Sequence, residues 1–223
     1  MPDIRESELA IVGLPVYAGR LPNLLLNYLT TWQSNGAWAV PVVVYGNRSY
    51  GNALVELYDI LRYRGFHPIA AAAFVGQHSF TTRLATGRPD REDLEKAEQF
   101  SAEIVRRILQ PGEFTGIKIP GQGAPDYGGY YKPKGRDEEV VNFLKAKPVT
   151  TDACIDCRRC AKVCPMGAIR LDHPSEVSGI CIKCNACVKQ CPVHAKQLTD
   201  EAYLSHVGFL ENRYTSRARI ELF

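Results

Sequence analysis

Eight cysteines constrain this chain more than any other feature. All of them lie between Cys154 and Cys191, in two runs with one spelling. The first is Cys154-x-x-Cys157-x-x-Cys160-x-x-x-Cys164-Pro165. The second, Cys181-x-x-Cys184-x-x-Cys187-x-x-x-Cys191-Pro192, repeats it 27 residues later. An iron–sulfur cubane wants a thiolate at each iron corner, and three cysteines at three-residue steps curl a loop around three corners. The cysteine four residues on, followed by proline, leaves that loop and reaches the neighbouring cluster. The spacing therefore predicts two [4Fe–4S] clusters. Cys154, Cys157, Cys160 and Cys191 would hold one, and Cys181, Cys184, Cys187 and Cys164 the other.

Two other chemistries use paired cysteines. Zinc accounts neither for the third cysteine at constant spacing nor for the Cys-Pro in both runs, and disulfides belong to exported chains. The start, Met1-Pro2-Asp3-Ile4-Arg5-Glu6, lacks the basic and apolar regions of a secretory signal. Nor does any apolar run approach the roughly 18 residues that span a bilayer. The expected location is cytoplasmic. A net charge of +3 over 223 residues argues for neither nucleic acid nor a membrane surface as partner.

Around the cysteines, Ala168 and Ala195 follow Cys164 and Cys191 by four residues, where a small side chain lets the backbone approach sulfur. Ile155, Val163, Ile169, Ile182 and Val188 are expected to wall off water. Arg158, Arg159, Lys162, Arg170, Lys183, Lys189 and Lys196 outnumber Asp152, Asp156, Asp172 and Glu176. These cations would raise the potential of an anionic cluster, face an acidic redox partner, or simply be solvated.

Upstream, the chain spells strand, loop and helix three times. Leu9 to Leu14 is a short apolar run, the mark of a strand buried on both faces. Pro22 suits a helix start, with Leu24, Leu25, Tyr28 and Leu29 as its apolar face. A strand at Ala39 to Tyr45 follows, then a helix capped by Asn52, lined by Leu54, Leu57, Tyr58 and Leu61 and stopped at Gly65. The third round is a strand from Pro68 to Val75 and a helix from near Asp90, carrying Leu94, Ala97, Ile104 and Ile108, with Gly112 past its end. Such a repeat predicts α/β architecture with a parallel sheet, whose ligands bind at the carboxyl edge of the strands, near loops 15–21, 46–51 and 76–89. Four segments are expected: a domain at 1–110, a connector at 111–150, a cluster domain at 151–197 and a helical tail at 198–223. The connector is rich in glycine and proline, including Pro111 and Pro125, carries Tyr127, Tyr130 and Tyr131, and leaves room for a short helix at Glu138 to Lys145. Its tyrosines suit a surface linker or, failing that, contact with a cofactor. The apolar end, Ile220-Glu221-Leu222-Phe223, is expected to dock on its own domain. The histidines are scattered and the cysteines already fill the iron coordination, while Gly121-x-Gly123, with no strand before it, does not make a nucleotide loop.

Gly13-Leu14-Pro15-Val16-Tyr17-Ala18-Gly19-Arg20-Leu21-Pro22 and Val44-Tyr45-Gly46-Asn47-Arg48-Ser49-Tyr50-Gly51-Asn52-Ala53-Leu54 resemble the flavin-flanking loops of flavodoxin-like domains. Gln77-His78-Ser79 and Gly87-Arg88-Pro89-Asp90 resemble a further stretch of that group. With the cysteine runs, nearly the whole chain is similar to the ferredoxins that carry an N-terminal flavodoxin-like domain ahead of a bacterial-type two-cluster, α+β module. The resemblance implies an FMN between Pro15 to Arg20 and Gly46 to Gly51. Tyr17 or Tyr50 would stack on the ring, backbone amides near Gly19, Gly46 and Asn47 would reach its pyrimidine edge, and Arg48 would stabilise the reduced, anionic flavin; Pro15, Ala18, Arg20 and Gly51 complete the implied set.

It also implies two further strands and a phosphate loop ahead of Leu9, for which eight residues leave no room. Three accounts stand side by side. The start lies downstream of the true one; a second subunit completes the sheet through a homodimer or hetero-complex at the open edge; or the domain has given up flavin and serves for docking. The expected function is single-electron transfer through two clusters between redox proteins. The alternatives are a flavin-dependent oxidoreductase fed by the clusters and a wiring subunit of a larger redox complex.

Overall fold

The computed structural model describes residues 3–110, 116–124 and 126–223. Pro111, Gly112 and Pro125 therefore lie outside the described residues. In chain order the elements are β1 (Asp3–Ile4), β2 (Leu9–Pro15), α1 (Asn23–Leu29), β3 (Gln33–Ser34), β4 (Trp38–Tyr45), α2 (Ala53–Tyr63), β5 (His67–Pro68), β6 (Ala72–Val75) and α3 (Arg91–Leu109). After these come β7 (Val149–Thr150), α4 (Arg159–Lys162), α5 (Ala186–Lys189), β8 (Lys196–Gln197), α6 (Glu201–Arg213) and β9 (Glu221–Leu222). The chain divides into two compact units, one of residues 1–78, 84–131 and 216–223, the other of 79–83 and 132–215. Among the described residues no helix is long and apolar enough to cross a membrane.

The first unit is built on a sheet in the order β2-β4-β6-β9. β2 lies parallel to β4 from Leu9↔Trp38 to Pro15↔Val44, and β4 lies parallel to β6 from Val42↔Ala72 to Tyr45↔Val75. Strands that alternate with helices must return on the same heading, which gives the parallel pairs. The sheet is nonetheless mixed, because β9 joins β6 antiparallel. The apolar chain end thus finds its place as an edge strand. Ala71 and Phe223 exchange both backbone hydrogen bonds, at 3.1 and 2.9 Å. Pairing stops between Pro68 and Ala72, so the expected third strand is two pieces, β5 and β6.

One face of the sheet packs Val12, Val43 and Ala73 against Leu54, Leu57 and Leu61 of α2. The other packs Val40, Ala70 and Ala72 against Phe100 and Ile104 of α3. Cover on this second face is incomplete, and Ile11 is 64% exposed. β2 is therefore not buried on both faces as its composition suggested. Among the described residues it pairs only with β4 and forms an edge. Likewise Leu24 and Tyr28 of α1, and Leu94 of α3, face outward instead of into the core.

The third helix starts near Asp90 and the second stops at Gly65, as expected. Asp90 caps α3 by accepting from the Asp93 amide, and Asp93 returns the bond, a capping box. Gly65 ends α2 at φ +83°, and a Cβ there would collide with the Ser34 carbonyl oxygen. Asn52 does stand at the start of α2, but its side chain makes no cap; it donates to the Tyr127 carbonyl instead.

In the second unit α6 packs its Tyr203 with Phe143, Ala146 and Leu198. Phe80 and His206 extend that aromatic cluster. Asp200 caps α6 by accepting from the Tyr203 amide at 2.9 Å. No helix forms at 138–145. Glu138 takes φ +66° after a turn at Gly135, and Val140 bridges back to Lys134.

Candidate iron–sulfur centre

The two cysteine runs fold as copies of each other, residue for residue. α4 and α5 occupy equivalent positions, and β7 pairs with β8 beside them. Left-handed backbone recurs at the same places: Asp156 and Lys183 (φ +53° and +54°), Arg158 and Asn185 (+61° and +57°), Gly167 and His194 (+58° and +52°). Five of these six are not glycine, and each costs about 1–2 kcal/mol in that region. A chain holds such strain when its loops are required to curl, as cysteines at three-residue steps do around one centre.

Within that frame Cys160 and Cys187 are buried, Cys164, Cys181, Cys184 and Cys191 are half-buried, and Cys154 and Cys157 are exposed. The Ala168 amide donates to the Cys164 sulfur at 3.3 Å, and the Ala195 amide donates to the Cys191 sulfur at 3.2 Å. Both alanines are buried, and Gly179 lies so near Ala168 that a Cβ on it would sit 2.8 Å from the alanine Cα. The expectation of small residues at these positions is met by amide-to-sulfur bonds of the kind that tune a bound cluster.

The thiols are not electrostatically equal. Burial, reinforced by Cys184 and Cys181, pushes Cys187 up to about 11, and burial raises Cys160 as well. At Cys191 burial also pushes upward, but the amides of Lys196, Val193 and Ala195 outweigh it and the thiol falls below its ordinary value. A centre that binds these sulfurs as thiolates must compensate their charge, as iron does. Among the described residues no three His, Cys, Asp or Glu side chains gather for a single metal ion. The all-thiol donor set, its duplication and its amide-to-sulfur bonds fit an iron–sulfur group.

Residues 153–196 match the family model of the 4Fe-4S dicluster domain. No curated protein and no solved structure matches the chain. The dicluster match supports a ferredoxin-like iron–sulfur part and, with it, electron transfer. Of the apolar wall expected around it, Ile169 and Val188 pack with Cys160 and Cys187, joined by Val177, whereas Ile155 is 62% exposed. Asn185, inside the dicluster region, escaped the sequence reading; it is buried and donates to the Tyr203 hydroxyl at 2.7 Å. Lys196, expected there only as one of seven cations, is buried as well. Burial of a polar residue among cysteines leaves no periodic signal to find it by.

At the carboxyl edge of the first unit, the loops expected to flank a flavin do come together. Tyr17 and Arg20 exchange backbone hydrogen bonds around Ala18 and Gly19, both at positive φ, the form of a two-residue turn of type I′. Gly51 packs on it, and a Cβ there would lie 2.5 Å from the Gly19 oxygen. The side chains, however, are engaged by the chain itself. Arg20 forks onto Glu56 at 2.9 and 2.6 Å, and its guanidinium also faces Tyr127 and Tyr130. Arg48 lies 4.0 Å over the Tyr131 ring. Asn47 donates to Ser216 and accepts from Ala218, while the Tyr50 hydroxyl donates to Glu221 at 2.7 Å. Gly46 lies against His78, where a Cβ would come within 2.7 Å of the ring. Pro15 ends β2, exposed. As arranged, these residues do not fit a flavin: connector residues 127–131 and tail residues 216–221 hold the groups it would need.

Proposed function

We propose that this chain is an electron carrier that takes up and releases single electrons at two [4Fe–4S] clusters, exchanging them with partner redox proteins. Cys154, Cys157, Cys160 and Cys191 would hold one cluster, and Cys181, Cys184, Cys187 and Cys164 the other. When bound, each cluster supplies a one-electron couple. The chain's own part is to hold thiolates at fixed corners, to donate the Ala168 and Ala195 amides to sulfur, and to limit water with Ile169, Val177 and Val188. The observation that carries this reading is the residue-for-residue duplication of the backbone, down to the paired amide-to-sulfur bonds at 3.3 and 3.2 Å. Anaerobically purified protein should contain about eight irons and give the EPR signals of reduced cubanes. Stoichiometric zinc without iron would sink the proposal.

For the first unit we favour a flavodoxin-like sheet turned to docking. The sequential parallel order β2-β4-β6 supports kinship with the last three strands of that fold. The self-engaged carboxyl edge supports the loss of flavin. The open edge of β2, with Ile11 exposed, suits a second chain, either another copy or a larger redox complex. Light scattering on purified protein tests the first option. A dimer that dissociates on Ile11→Lys supports it, and a monomer leaves only the hetero-complex.

A further inference from the structure

Seven cations surround the cysteine runs, and Lys196 is the one that is buried. Arg158 pairs with Asp156, Arg170 with Asp172, and Arg159 donates to Gln190. Lys162 and Lys189 are exposed, and Lys183 is half-buried against the Leu144 carbonyl. Lys196 differs from all of these: it is only 2% exposed. Its ammonium donates to one neutral acceptor, the Ser175 carbonyl, at 3.0 Å, and that oxygen is shared with the Thr150 hydroxyl. Among the described residues it forms no ion pair. A buried ammonium without a counter-charge costs several kcal/mol. A stable fold that keeps one implies an anion nearby.

The internal repeat shows what Lys196 replaces. Its counterpart 27 residues earlier is Ile169, buried at 4% exposure and packed with Cys160 and Cys187. The neighbour before it keeps the symmetry: Ala168 matches Ala195 in burial and in its bond to sulfur. At this single interior place an aliphatic side chain has given way to a cation.

Resting on the iron–sulfur reading, we propose that the Lys196 ammonium is the internal counter-cation of the centre. It lies beside Cys160 and Cys191, and it raises the reduction potential most for the cluster that those two help to hold. Its place is fixed by the chain around it: the Ser175 carbonyl that it bonds follows Pro174, whose carbonyl meets the Cys160 sulfur at 3.6 Å, and the preceding Ala195 donates its amide to the Cys191 sulfur at 3.2 Å. An electron accepted from a partner adds one negative charge to the centre. A fixed cation beside it favours that reduced state and makes two otherwise matching clusters unequal.

The test compares Lys196→Gln, which removes the charge but can still donate to Ser175, with Lys196→Met and Lys196→Arg. Iron content and EPR-monitored potentiometric titration with dithionite are read for each. Full iron in the wild type establishes the centre independently of this residue. In Lys196→Gln and Lys196→Met, iron is retained and one couple becomes at least tenfold harder to reduce, about 59 mV for one electron. Lys196→Arg keeps the wild-type potential. Neutral variants that lose iron while Lys196→Arg keeps it also support the proposal. It is overturned if the neutral variants load fully with both couples unmoved, or if Lys196→Arg loses iron along with them. A wild type without iron would instead remove the centre itself.

Discussion

The cysteine module and the carboxyl-edge loops of the first unit carry the two ligand-binding patterns in this sequence, and they differ in what their side chains do. In the module the sulfurs of Cys164 and Cys191 meet only backbone amides, and that of Cys160 approaches a backbone carbonyl at 3.6 Å. Their bonding capacity is left for something the chain does not supply. In the loops Arg20, Asn47 and Tyr50 are each spent on another residue of the same unit. A strand edge and a glycine turn locate a place where a ligand can bind. Only unspent donors and acceptors make it a site.

The sharpest way to break this comparison is to remove one ligand from the module. Cys160→Ser should lower iron from about eight to about four per chain, and Cys187→Ser should do the same to the other cluster. Distinct EPR signals surviving in the two variants would confirm separate assignments. A variant that keeps all its iron would refute the shared cubane geometry.

The loops should respond in stability, not cofactor content. Glu56 is 2% exposed and accepts from the Leu21 amide as well as from Arg20. Glu56→Gln strands the Arg20 charge, and breaking a buried pair in this way costs roughly 3–5 kcal/mol. Urea denaturation of the first unit should register that loss while iron content stays unchanged. An unaltered midpoint would mean that the Arg20–Glu56 pair is not what holds the turn at Ala18–Gly19.

Sequence reasoning reached the dicluster segment, because cysteine spacing is written into the chain and neighbours cannot rearrange it. It located β2, β4, α2, α3 and α6 from apolar periodicity. It failed where long-range partners decide. The apolar end was expected to dock, but its composition does not tell that Phe223 will pair with Ala71, so the first domain was expected to end near residue 110. Tyr127 and Tyr130 suggested a free linker because their acceptors, Asp59 and the Leu21 carbonyl, are far away in sequence. Glu138 to Lys145 has helical composition, but the bridge from Lys134 to Val140 prevails. Burial of Lys196 has the same origin: the interior is created by the fold, not by the residue's own preference.

A milder perturbation separates the units by pH. Asp93 is buried, bonded to the Arg88 guanidinium and touched by Arg217 from the tail. The Arg88 hydrogen bond holds its carboxyl below the ordinary 3.8. A depressed carboxylate stabilises the folded state above its unfolded value, and that contribution is lost as pH falls through the folded one. The first unit should therefore lose stability below about pH 4, and Asp93→Asn should flatten that part of the profile. Near-ultraviolet circular dichroism, which reports the tyrosine-rich first unit, checks it. An unchanged acid limb in Asp93→Asn would assign the loss to other carboxylates.

The smallest effect is the one that most sharpens the contrast between the two regions. A ligand held by the native state at 100 times its dissociation constant stabilises it by about 2.7 kcal/mol. FMN added at such an excess over an ordinary flavodoxin-like affinity should leave the thermal midpoint where it was. The ring would first have to displace Arg48 from Tyr131 and Glu221 from Tyr50. Each of those contacts is worth about 1 kcal/mol or more, and their loss would weaken any binding further. A raised midpoint with quenched flavin fluorescence would overturn this and restore the edge loops as a second redox site. An unmoved midpoint beside a full complement of iron leaves electron transfer with the cysteines and gives the loops a purely structural role.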